Sequence, residues 1–123
     1  MLRNCILAGI ALLLTLPSAN AGVIVSTKLS LVIDVSGSIS NSEYDRQMDG
    51  YAAAFRSDAV QDLIINANNG IAVNVVFFSN SAFNRRNEWV HLTDASSIDA
   101  YAGVLATINR PGAGGTNIAS GIN

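Results

Sequence analysis

Cysteine is almost missing from this sequence. The single thiol, Cys5, lies near the start of the 123-residue chain with no second one to pair with, so an internal disulfide is excluded. Stability must come from packing, from a metal held by oxygen ligands, or from both. Histidine is as scarce: His91 stands alone, which leaves one imidazole for any acid–base role. Positive charge is thin too. The chain has 7 Lys and Arg against 9 Asp and Glu, and its one adjacent basic pair, Arg85-Arg86, reads as a solvated loop. Without a basic run, nucleic acid and anionic membrane are poor partners.

The first 21 residues differ in character from the rest. Met1-Leu2-Arg3-Asn4 carries one positive charge, an apolar run of twelve follows over residues 5–16, and Ala19-Asn20-Ala21 closes the stretch with small-x-small spacing. That is the layout of a signal peptide cut after residue 21, and it predicts export to the periplasm, the cell envelope or the exterior. An uncleaved anchor would need about 20 apolar residues, so no membrane insertion is expected after cleavage. Cys5 precedes the apolar run, where it does not suit lipid attachment at the cleavage point. Loss of the leader removes Cys5 and Arg3, leaving 6 basic against 9 acidic residues and a net charge of −3. The remaining 102 residues divide into a short spacer, 22–28, and one small domain, 29–123. The final "GGTNIASGIN" reads as the opening of a helix, so a domain that is incomplete at its C-terminus is expected.

Residues 29–35 are a short apolar run with β-branched character, as in a strand buried on both faces. Ser40-Asn41-Ser42-Glu43 fits the capping box and starts a helix. Behind it Tyr44, Met48, Tyr51 and Phe55 recur at helical spacing and predict a core stripe. "SDAVQDLIINA" reads as a shorter helix, closed by the turn Asn68-Asn69-Gly70. "IAVNVVFFS" is a second buried strand, and "EWVHLT" a third, shorter one nearer an edge. Asp94 or Ser96 caps a helix carrying Ile98, Tyr101, Leu105 and Ile108, which Arg110-Pro111 ends. "GAGGT" is a flexible loop, and another helix begins in "NIASGIN". Helical crossovers between apolar strands predict an α/β fold of Rossmann-like type, with an open, mostly parallel sheet covered on both faces. In such sheets ligands bind outside the carboxyl ends of the strands.

Asp34, Ser36 and Ser38 sit at that end of the first strand. A carboxylate and two hydroxyls spaced two apart converge when the chain turns off the strand, and Gly37 gives the backbone freedom to do so. Hard oxygens suit Mg2+, Mn2+ or Ca2+ and suit zinc or copper poorly. Too few for a closed cage, they leave positions for water and for an oxygen of a ligand. Taken alone, D-x-S-x-S equally describes residues that cap a helix. Its context favours a site: a buried strand before it, a capped helix after it, and Gly114-Gly115-Thr116 in a loop about 80 residues on.

"VIDVSGSIS" together with "GGTNIASGI" resembles the von Willebrand factor A domain and its metal-ion-dependent adhesion site, over roughly residues 29–123. The leader, "EYDRQMDGYAAAFRSDAV", "VVFFS" and "RPGAGGTNIASGI" are similar to a group of bacterial exported proteins with this domain. The resemblance implies that Ser36, Ser38 and Thr116 are direct ligands of Mg2+, or of Mn2+ or Ca2+, with Asp34 binding directly or through a water. It also implies an aspartate after a later strand, which would lie beyond Asn123; Asp45, Asp49, Asp58 and Asp94 fall on expected helix faces or caps and do not take its place. The implied function is recognition without turnover. The metal accepts a carboxylate oxygen from an acidic side chain of a protein partner.

Two rivals remain. In the first, the site is degenerate and the domain is a scaffold without metal. The second is a metal-dependent hydrolase, but "VSGSI" lacks the G-x-S-x-G elbow and His91 sits in a strand beside Trp89. The "GAGGT" loop has no lysine after its glycines and follows a proline, so it is a poor phosphate cradle. No enzymatic activity is expected. The oligomeric state is not legible.

Overall fold

The structure, a computed structural model, describes residues 22–83 and 88–122. The leader, the Arg85-Arg86 pair and Asn123 lie outside the described residues. Strand β1, Thr27–Asp34, opens the fold, and its first residues fall within the expected spacer. Ser26 already ties that spacer down, its N–H donating to the Gly70 carbonyl at 3.0 Å and its hydroxyl to the same oxygen at 2.7 Å. Helix α1, Asn41–Arg56, starts where the sequence places it. The Ser40 hydroxyl accepts from the Glu43 N–H, and the Glu43 carboxylate reaches back to the Ser40 N–H. Its inward stripe is Tyr44, Met48, Ala52 and Phe55, with Tyr51 partly buried beside the core.

Helix α2, Asp58–Ile65, is capped by Ser57. Then β2, Ile71–Phe78, runs parallel to β1 with Thr27 opposite Ile71 and Asp34 opposite Phe78. A two-residue strand β3, Ala82–Phe83, and β4, Val90–Leu92, both pair antiparallel with the other edge of β2, β3 against its end and β4 against its start. The sheet is therefore mixed: its long pair is parallel, and its two short pairs are not. Among the described residues between β2 and β4 there is no crossover helix, in keeping with their antiparallel pairing.

Helix α3, Ala95–Thr107, is capped by Asp94 in a box with Ser97, which settles the choice between Asp94 and Ser96. It stops short of Pro111, because the residue before a proline avoids helical backbone. Arg110 is thus left in the following loop. Helix α4, Ile118–Ile122, closes the described chain. None of these helices is long and apolar enough to cross a membrane.

The parallel pair sorts its side chains by parity. Leu31, Ile33, Val73, Val75 and Phe77 face α1 and α3 and join their apolar stripes in one core, in which Ile33, Val73, Ile98 and Leu105 are fully buried. Tyr44 leans on Phe77 with ring centroids 6.4 Å apart, and Phe55 meets Tyr101 edge-on at 5.2 Å. On the opposite face α4 lies against β1 and β2. Gly121 packs there so closely that a Cβ would come within 2.9 Å of the Phe78 ring and 3.1 Å of Val32. With helices on both faces, the carboxyl end of β1 and β2 is where an open sheet of this kind receives a ligand.

Candidate metal centre

Beyond Asp34 the ladder continues for one more bond, from the Val35 N–H to the Phe78 carbonyl at 2.9 Å. The chain then leaves the sheet in a turn that its own side chains stabilise. The Ser36 N–H donates to Asp34 Oδ1 at 2.7 Å, the local bond by which an aspartate mimics a backbone turn. The Ile39 N–H closes onto the Ser36 carbonyl at 3.0 Å. Within this turn the Ser36 and Ser38 hydroxyl oxygens stand 3.1 Å apart. Ser36 is 1% exposed, whereas Ser38 faces outward and Asp34 is half-buried. Ser40 belongs to a different structure: its hydroxyl donates to Glu43 Oε2 at 2.7 Å and serves α1. That pair of bonds from Ser40 holds the Glu43 carboxyl below its ordinary 4.5, the hydroxyl acting first and the amide second.

A second loop, residues 108–117, is laid across the first. The Gly37 N–H donates to the Gly114 carbonyl at 2.7 Å. Arg110 reaches the same stretch, its Nη2 donating to the Val35 carbonyl at 3.0 Å and to the Ser36 carbonyl at 2.6 Å. Its Nη1 donates to Asn41 Oδ1 at 3.1 Å. Farther along, the Asn117 N–H donates to the Ser79 carbonyl at 2.7 Å, which anchors the loop to the end of β2. Both glycines before Thr116 are used there. A Cβ on Gly115 would stand 2.6 Å from Asn80 Oδ1, and one on Gly114 3.0 Å from Asn80 Nδ2.

Of the four residues read from the sequence, Asp34, Ser36 and Ser38 are therefore joined by direct bonds. Thr116 is exposed and comes to them only through its loop, by way of the Gly37–Gly114 contact. Sequence reading missed Arg110, Ser79 and Asn80. Ser79 and Asn80 follow the carboxyl end of β2 as Asp34 ends β1, so the rule that ligands gather at that end could have found them. Arg110 carried no signal beyond its proline.

Among the described residues no group of three or more His, Cys, Asp and Glu comes together, so the donor set is one carboxylate with hydroxyls. Adjacent oxygens around an octahedral ion with bonds of about 2.1 Å stand about 3.0 Å apart. The Ser36–Ser38 separation fits that edge. The other aspartates lie elsewhere, Asp45 and Asp49 exposed on α1 and Asp58 in the first turn of α2. Asp94 caps α3, and the Ser97 amide it accepts holds its carboxyl low. His91 pairs across from Ala72 at the start of β2 and bonds through Nε2 to the Asn69 carbonyl at 2.7 Å. Six residues of strand separate Ala72 from Phe78, about 20 Å, so the imidazole is remote from the serines.

The family model described as "Protein of unknown function (DUF1194)" matches residues 24–123, and the chain belongs to that family. No curated protein matches it. Among solved structures, proximal thread matrix protein 1 from the mussel byssus (crystal form 2) is similar at 22% identity and a TM-score of 0.49, over 78% of this chain and 23% of that one. The chain thus spans less than a quarter of the matrix protein's length.

Proposed function

We propose that this chain is a von Willebrand factor A-like recognition module whose Asp34, Ser36, Ser38 and Thr116 hold one divalent cation, Mg2+ or else Mn2+ or Ca2+. When bound, the cation supplies an open coordination position for a carboxylate oxygen of an acidic side chain on a protein partner. The observation that carries this reading is the 3.1 Å spacing of two hydroxyl oxygens, in a turn that Asp34 stabilises, at the carboxyl end of a parallel strand pair. The signal-peptide layout of residues 1–21 supports recognition outside the cytoplasm. The distance of His91 from the serines supports binding without catalysis.

A scaffold without metal is the second reading, and one observation favours it. Asp34 Oδ1 already accepts the Ser36 N–H and the two hydroxyls already bond each other within the loop, and Thr116 is outside that set. Thermal unfolding of the protein freed of its leader separates the two. Recognition by metal expects Mg2+ or Mn2+ to raise Tm above that in EDTA, and Ser36→Ala with Ser38→Ala to abolish the rise. An unchanged Tm in the wild type would leave the scaffold.

A further inference from the structure

We propose that Arg110 is a positioning residue that braces the ligand loop, fixing the backbone of residues 35–37 before any cation arrives. Its bearing on metal affinity rests on the function proposed above; the bracing itself does not. The Val35 and Ser36 carbonyls lie past the last ladder bond, on residues that are 0% and 1% exposed. A buried carbonyl without a donor is costly; Arg110 Nη2 serves that of Val35 and adds a second bond to that of Ser36, which also accepts the Ile39 N–H. Those carbonyls face the guanidinium while the Ser36 hydroxyl meets that of Ser38. Arg110 and Gly114, four residues apart, grip three consecutive residues of the loop, and Asn41 Oδ1 at the start of α1 steadies the guanidinium.

Charge pairing does not explain this placement. The one ion pair among the described residues is Arg56–Asp99, so Arg110 has no carboxylate partner. Its Nε is buried with no acceptor among the described residues, a cost that the bonds of its two Nη groups must offset. A fixed positive charge beside the loop also opposes a cation. What remains is geometry: a planar fork that bridges acceptors in fixed directions, which a lysine ammonium cannot reproduce.

Arg110→Lys retains the charge and removes the fork, and Asn41→Ala loosens the guanidinium without altering it. Amide hydrogen exchange in EDTA reads the brace directly. The Ser36 and Gly37 amides should exchange at least ~10-fold faster in Arg110→Lys and by a smaller factor in Asn41→Ala, while Val75 and Phe77 in β2 keep their protection. Mn2+ affinity, followed by its effect on Tm, should fall ~10-fold or more, as for residues that orient metal ligands. Unchanged exchange at Gly37 in Arg110→Lys overturns the brace, as does an acceleration spread equally through β2. If the wild type shows no response to Mn2+ while Gly37 accelerates in the variant, the brace stands and the metal reading fails.

Discussion

The three serines after β1 divide by task, and two single substitutions test the division. Ser40→Ala removes the hydroxyl that accepts the Glu43 N–H and donates to its carboxylate. Loss of such a cap costs about 1 kcal/mol, which in a domain of this size lowers Tm by about 5 °C. Ser38→Ala removes an exposed hydroxyl whose partner is the Ser36 oxygen at 3.1 Å. That bond is worth about 0.5–1 kcal/mol at most, so its Tm in EDTA stays near that of the wild type, while the rise produced by Mg2+ or Mn2+ disappears. Calorimetric scans of both variants with and without metal make the comparison. Acid sharpens it. The folded Glu43 carboxyl titrates below its ordinary 4.5 because Ser40 bonds its charged form, so its contribution is present above that pH and is lost as pH falls through the folded value. The gap between wild type and Ser40→Ala should therefore narrow as pH falls below the ordinary 4.5. Equal loss of the metal response in both variants, or a Ser40→Ala protein with undiminished Tm, would refute the reasoning.

Gly70→Ala should be among the most damaging single changes. Gly70 has φ +63° and its added Cβ would stand 2.1 Å from the Leu92 carbonyl oxygen, so strain and clash together cost roughly 2–4 kcal/mol, read as a fall in denaturant midpoint. Ile33→Ala, at a fully buried position beneath Asp34, should cost about 3 kcal/mol by the same measurement. Tyr101→Phe should be neutral or stabilising by up to ~1 kcal/mol, because the buried Tyr101 hydroxyl has no partner among the described residues and its removal ends a desolvation cost. Burial pushes that phenol up to about 12, so the wild type should lose stability as pH rises from about 10 toward 12, as the unfolded phenol ionises; Tyr101→Phe should lose less over that range. Asp99→Asn, which breaks a solvent-exposed pair with Arg56, should move stability by no more than ~0.5 kcal/mol.

Most of the elements were legible because their signals are local. The Ser40–Glu43 box, the stripe from Tyr44 to Phe55 and the valine-rich run of β2 each lie within one stretch of chain and need no tertiary information. β3 was not, since two residues carry no period, and the direction of β4 depends on a missing crossover that apolar runs do not report. The same limit governs the site. Asp34, Ser36 and Ser38 were legible as a unit because they lie within five residues. Arg110 meets Val35 across 75 positions, and the Ser79 carbonyl meets the Asn117 N–H from far along the chain, contacts that only the fold creates. A proline after Arg110 drew the reading toward helix termination and away from the guanidinium.

β2 is the strand to which each of the other three pairs, and its rungs with β1 join residues 44 positions apart. A separation of that size makes pairing a late event in folding, after the local helices α1 and α2 have shortened the intervening loop. The turn at residues 34–38 has local bonds of its own, but the Gly114 and Arg110 contacts that hold it in place exist only once the sheet has closed. A cation held there would meet no binding site in the transition state. It would lengthen the lifetime of the native protein by slowing unfolding and leave the folding rate unchanged, which makes the metal a latch on a finished sheet.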